Sequence, residues 1–240
     1  MVARVLDRLS DRAERLVLAG SVAAGYALYW PIGRYTASLE PHEPALAIDH
    51  ATPLIPEFIY VYALVFLAGA LPLTVQTGRR LFRRICASYL LAMLVSYVVF
   101  IAWPVTMTIR PEAPPVDSLA TWGIALAYWL DKPSNCLPSL HVSVAMLAGL
   151  CTWSADRLVG AGGIAVAIAI SASTMLVKQH WFADVVTGVL LALVAWALLV
   201  RGVEPEGTPD RRGVLWLTGA QLFMIVAFAS LYASGWVPWA

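Results

Sequence analysis

From Leu158 to Val200 the chain is one long apolar run with three ionisable side chains in it: Lys178, His180 and Asp184, all within VKQHWFADVV at 177–186. A histidine and an aspartate at i and i+4 share one helix face. Asp184 can therefore accept a hydrogen bond from one ring nitrogen of His180, which fixes the tautomer and makes the other nitrogen the better nucleophile. Ionisable groups at membrane depth are costly and mark a functional site by default. The competing reading is a buried pair that joins two helices, or an Asp184 that only supplies charge at a helix start.

Two further stretches carry chemistry. In NCLPSLHVSVAML at 135–147, Pro138 suits a helix start, Ser139 can cap it, and His141 falls in the first turn. The N–H groups and positive dipole end of such a helix attract anions; the alternative is a capped helix with an interfacial histidine. In WPVTMTIRPEAPP at 103–115, proline enforces irregular backbone, and Arg110 can grip a phosphate through its planar fork of donors. Its alternative role is a snorkelling anchor. His141, His180 and Asp184 could also ligate a metal. Arg110 and Lys178 would repel such an ion and welcome a phosphate, so no metal and no cofactor is expected.

The elements that must position these groups are membrane spans. The chain has 240 residues, 60% hydrophobic and 13% charged, with a mean hydropathy of +0.74. Soluble domains carry about 25% charged residues, so the composition is that of an integral membrane protein. A net charge of +1 without a basic run speaks against nucleic acid. Cys86, Cys136 and Cys151 make no metal or disulfide spacing, and Cys136 is expected nearest to solvent. A helix needs about 20 apolar residues to cross a bilayer. That gives candidate spans near 16–33, 57–76, 85–103, 138–155, 159–178, 181–200 and 214–236. The expectation is an all-α polytopic bundle of six to seven spans in a single domain, 1–240, with an amphipathic N-terminal helix at 1–15. A catalytic core lies at about 85–200, the C-terminal span at 214–236 is additional, and 119–131 forms an interfacial helix. Twelve of the sixteen Lys and Arg residues fall on one side, which should be cytoplasmic and hold the N-terminus. Arg34, Arg110, Lys132, Lys178 and all four histidines then lie outside. His42, Asp49 and His50 are expected in a solvated loop.

The ordered set Arg110-Pro111, Pro138-Ser139-Leu140-His141 and His180-x3-Asp184 resembles the type 2 phosphatidic acid phosphatase superfamily over roughly residues 100–190. The family's first-motif lysine is replaced by Trp103, its Ser-Arg pair by Ser173-Thr174, and its usual glycine by Leu140. Pro-Ser-Leu-His, Lys178-Gln179-His180 and the early segment AIDHATPLIPEFIYVY at 47–62 are similar to the inositol phosphorylceramide synthase branch and, more distantly, to sphingomyelin synthases. The resemblance implies a phosphohistidine on His180, held by Asp184, with His141 as acid and then base. Arg110, Lys178, Ser139 and the backbone N–H near Leu140 would bind the phosphoryl oxygens. It also implies a phospholipid or lipid phosphate substrate in a cell membrane, with the site on the extracytoplasmic face. Water as acceptor makes a phosphatase; an alcohol or lipid acceptor makes a headgroup transferase. A non-catalytic transporter is a third reading, weakened by the absence of repeated halves.

Overall fold

The computed structural model describes residues 9–75, 78–111 and 115–239. It is an all-α polytopic bundle. The helices are α1 (Asp11–Ala27), α2 (Tyr29–Thr36), α3 (Ala47–Ala51), α4 (Ile59–Tyr62), α5 (Val65–Ala68), α6 (Leu71–Val75), α7 (Arg79–Ala102), α8 (Leu119–Leu130), α9 (Leu140–Ala155), α10 (Arg157–Leu176), α11 (Phe182–Leu199) and α12 (Arg212–Ala233). Among the described residues five helical stretches are long and apolar enough to cross a membrane: 11–36, α7, α10, α11 and α12. The shorter α9 stands at the centre, packed on α7, α10 and α11. Small residues make that possible. A Cβ on Gly149 would stand 2.7 Å from the backbone nitrogen of Ile164 in α10, so glycine lets these two helices touch along their backbones.

The expected span at 57–76 is a chain of short pieces: a 3-10 turn at Pro56–Phe58, then α4, α5 and α6. Pro72 cannot donate to the helical ladder, and Gly69 favours a break. A carbonyl freed inside a membrane must find a partner; Tyr89 of α7 donates its hydroxyl to Gly69 O at 2.9 Å.

Residues 1–8 of the expected amphipathic helix lie outside the described residues. The remainder, from Asp11, forms the first turns of α1, capped by Ser10, whose hydroxyl accepts from Ala13 N–H at 3.3 Å. It does not simply lie along a surface, because Glu14 is buried and bonded by Arg79 and Arg83 at the start of α7. The helix expected at 119–131 is α8, and Trp122, Ile124 and Tyr128 are buried. It is docked on the bundle, with Trp122 Nε1 donating to Trp236 O beyond α12 at 2.9 Å. α12 itself buries no residue, as suits a helix that is apolar all round and faces lipid.

Candidate active site

The turn that carries His180 is built by the end of α10. Gln179 N–H reaches Thr174 O at 2.8 Å and Lys178 N–H reaches Met175 O at 3.1 Å, the paired bonds of a Schellman cap. Such a cap needs one left-handed residue. Here it is Lys178, at φ 55°, where glycine is usual and a side chain costs roughly 1–2 kcal/mol. The chain then extends through His180 and re-enters a helix at Phe182. Asp184 caps that start: its Oδ2 accepts from Trp181 N–H at 2.9 Å and faces His180 Nδ1 at 3.3 Å.

The opposing wall is the start of α9. Ser139 is the N-cap, its hydroxyl accepting from Val142 N–H at 3.2 Å, so Pro138 stands one residue before the cap and not inside the first turn. Ser139 N–H donates to Asp184 O at 3.0 Å, which ties the two helix starts together. Their closeness depends on Gly188: a Cβ there would lie 2.7 Å from Ser139 O.

These constraints bring the two imidazoles together nitrogen to nitrogen, their planes inclined at 60°. His141 Nδ1 lies 3.1 Å from His180 Nε2, and Asp184 is fully enclosed while His180 is 3% exposed. With the Asp184 carboxylate as acceptor, His180 carries its proton on Nδ1 and presents a lone pair on Nε2. His141 must then donate from Nδ1, leaving its Nε2 to accept from the Tyr62 hydroxyl at 3.2 Å. Asp131 stands behind the same nitrogen, Oδ2 to Nε2 3.7 Å, and takes a hydrogen bond from the Tyr29 hydroxyl at 2.9 Å. Burial pushes the Asp131 carboxyl up to about 6, against the pull of Tyr29 and of the Arg110 charge.

Arg110 is joined to the pair through Gln179. Its Nη1 donates to Gln179 Oε1 at 3.1 Å, and Nη2 donates to the carbonyls of Tyr128 and Asp131, each at 2.7 Å. The guanidinium rests 3.8 Å over the Tyr128 ring. Gln179 Nε2 and Asp184 Oδ1 are buried without a protein partner. Leu140 is buried as the first residue of α9. Lys178 points elsewhere: its ammonium donates to Asp49 O at 3.1 Å and Thr52 O at 2.5 Å.

Several residues that carry this geometry are not marked by their sequence context. Asp49 is buried, not solvated: Oδ1 accepts from Phe182 N–H at 2.7 Å and Oδ2 from Leu46 N–H at 2.8 Å. It caps the start of α11 from a distant segment, beside the His180 turn. His42 stacks on Trp103 with ring centroids 4.1 Å apart, and His50 is exposed. Cys136 is buried, contrary to its expected place near solvent, and among the described residues Cys136, His180 and Asp184 offer ligand atoms within 4.8 Å of one another. A borderline-soft cation is the kind of ion such a sulfur, nitrogen and oxygen set could hold. The trio of the alternative metal reading, with His141, is not the one that converges. Tyr62 and Asp131 had only weak signals, an aromatic in a candidate span and an acid ten residues before His141.

A polytopic helical membrane protein whose helix starts bring two imidazoles together, one backed by a buried carboxylate, has an arrangement capable of acid, base or nucleophilic work. The chain matches the PAP2 superfamily over residues 41–198, well over half its length, and belongs to that family. No curated protein and no solved structure matches it. It is therefore a membrane protein of the phosphatase type.

Proposed function

We propose that the chain is a lipid phosphate phosphatase or phosphotransferase working through a phosphohistidine. The observation that carries the reading is the facing of His180 Nε2 and His141 Nδ1 at 3.1 Å, with His180 Nδ1 on an enclosed carboxylate. A phosphoryl group entering between them meets a lone pair on one side and a proton donor on the other. His180 Nε2 attacks phosphorus, the bond from phosphorus to the leaving oxygen breaks, and His141 protonates that oxygen from Nδ1. A neutral imidazole would be left as an imidazolate. The productive acid is therefore the imidazolium, whose second proton, on Nε2, faces the ionised Asp131 and Tyr62. In the second step His141 takes a proton from water or an alcohol, which attacks phosphorus and frees His180. On this reading Arg110, the amide of Gln179 and the N–H groups at Ser139 and Leu140 supply donors to the equatorial oxygens. Ser139 N–H must leave Asp184 O to take part. Lys178, with its ammonium on two carbonyls, acts by fixing the 49–52 segment unless substrate draws it away. No metal enters these steps.

The transferase alternative has its own support. The 47–56 segment, the part similar to the inositol phosphorylceramide synthase branch, is bonded to the His180 turn through Asp49, Lys178 and the Ile55 N–H to Leu176 O contact at 2.9 Å. An acceptor alcohol held there would reach the phosphohistidine. On this reading the N-terminus is cytoplasmic and the site lies on the far face of the cell membrane, an orientation the Lys and Arg distribution favours.

Purified protein in detergent with a phosphorus-labelled lipid separates these outcomes. Free phosphate means hydrolysis, and a new labelled lipid in the presence of an alcohol means transfer. His180→Ala and His141→Ala each abolish both, and an acid-labile label on the protein disappears in His180→Ala. Turnover that persists in His180→Ala would exclude the mechanism.

A further inference from the structure

A cleft of about 450 Å³ extends from His141 along α1 and opens to the bundle's surface, with Ala23 and Phe66 on its walls exposed. At its active-site end stand Tyr29, Tyr62 and Asp131; the rest is walled by Ala19, Ala23 and Tyr26 of α1 against Phe66, Gly69 and Leu73 of the broken span. Its lining is overwhelmingly apolar, and three of the four tyrosines on it have their hydroxyls engaged: Tyr89 on Gly69 O, Tyr29 on Asp131, Tyr62 on His141. Ala19 lies ten residues before Tyr29, about 15 Å along a helix. The cleft is thus elongated, with its acidic and imidazole groups, Asp131 and His141, at one end. Irregular backbone at membrane depth is tolerated where it is buried or lines a cavity, and α4 to α6 are broken along this one. The wall opposite them, α1, precedes residues 41–198, where the family match lies.

We propose that this cleft holds one hydrocarbon chain of the phosphorylated lipid, with the phosphate at His141 and His180, and that α1 sets how long that chain can be. The inference rests on the phosphoryl-transfer reading for the identity of the head end. The occupant is a substrate tail and not a bulk lipid, because the cleft is continuous with the imidazole that would protonate the leaving oxygen. Small side chains at Ala19 and Ala23 leave the deep half open, and Leu73 narrows it from the other side.

Two measurements test this. Turnover of alkyl phosphates of increasing length in one detergent should rise by up to about fourfold per added methylene while the cleft fills, then level. Ala23→Phe should move the plateau to shorter chains and Leu73→Ala to longer ones. Micelle partitioning is the same for each protein, and a misfolded variant cannot gain preference for longer tails. Independently of turnover, hexadecyl phosphate with a diazirine at its far end should label α1 near Ala19 and the Leu73 region on irradiation. Unlabelled hexadecyl phosphate should compete, hexadecane should not, and Ala23→Phe should lose the label. Label spread over the lipid-facing α12, or plateaus unmoved in both variants, would overturn the cleft assignment. Specific α1 labelling without any turnover would uphold the cleft and defeat the catalytic reading instead.

Discussion

Asp131→Asn tests the pairing behind His141, and its two effects have opposite sign. The carboxyl titrates at about 6 in the folded protein against an ordinary value of 3.8. Two to three kcal/mol is what a shift of that size represents, at roughly 1.4 kcal/mol per unit. Because the folded value is raised, stability is fully present below pH 3.8, where the group is protonated folded or unfolded. It falls as pH rises toward about 6, and above that the folded protein bears the whole cost of a buried charge. Asparagine keeps the shape, and its Oδ1 can still accept from Tyr29. The variant should therefore resist unfolding better than the parent at pH 7, by up to about 3 kcal/mol, with no advantage at pH 4. Activity should move the other way. Without a carboxylate facing Nε2 the His141 imidazolium is unsupported, and turnover should fall on the order of 10²-fold or more, with KM little changed. The acidic limb of the parent's kcat profile near pH 6 should vanish. Thermal unfolding in detergent from pH 4 to 8, beside pH-rate profiles, reads all of this. Parallel unfolding curves for parent and variant, or a variant with the parent's pH profile, would refute the pairing.

Gly188→Ala places a Cβ 2.7 Å from Ser139 O, so the two helix starts must part; kcat should fall roughly 10²-fold while the helical circular dichroism is kept. Asp49→Asn leaves one oxygen to serve both Leu46 N–H and Phe182 N–H; unfolding should become easier by about 1 kcal/mol, and kcat should drop with KM nearly fixed. Gln179→Glu pairs a carboxylate with the Arg110 guanidinium and withdraws its charge from a phosphate, so KM should rise at least about tenfold, with Gln179→Ala milder; steady-state kinetics on an alkyl phosphate checks both.

The spans were legible because long apolar runs need no tertiary information, and so was the His180–Asp184 pair, although His180 stands before the helix and Asp184 meets it as the capping carboxylate and not across one helix face. What sequence could not show is contact between distant segments. Asp49 reads as a loop acid until Phe182 N–H is seen on its oxygen, 133 residues away. Asp131 becomes special only when Tyr29 and His141 surround it. Lys178 shows the opposite limit: a cation beside a histidine suggests a phosphate, while the fold sends its four-carbon stem back to the carbonyls of residues 49 and 52. The run at 57–76 was apolar enough for a span, but Gly69 and Pro72 interrupt it. Those interruptions open the cleft beside His141.

The contact between the two imidazoles bears on life in a crowded solvent. Every molecule in a bilayer presents hydrocarbon to this protein, and nearly all of them outnumber the right one. Since the rings already satisfy each other, an uncharged visitor gains nothing by prising them apart and slides out again. Only a visitor whose head offers both nitrogens a better bargain than their mutual embrace can stay.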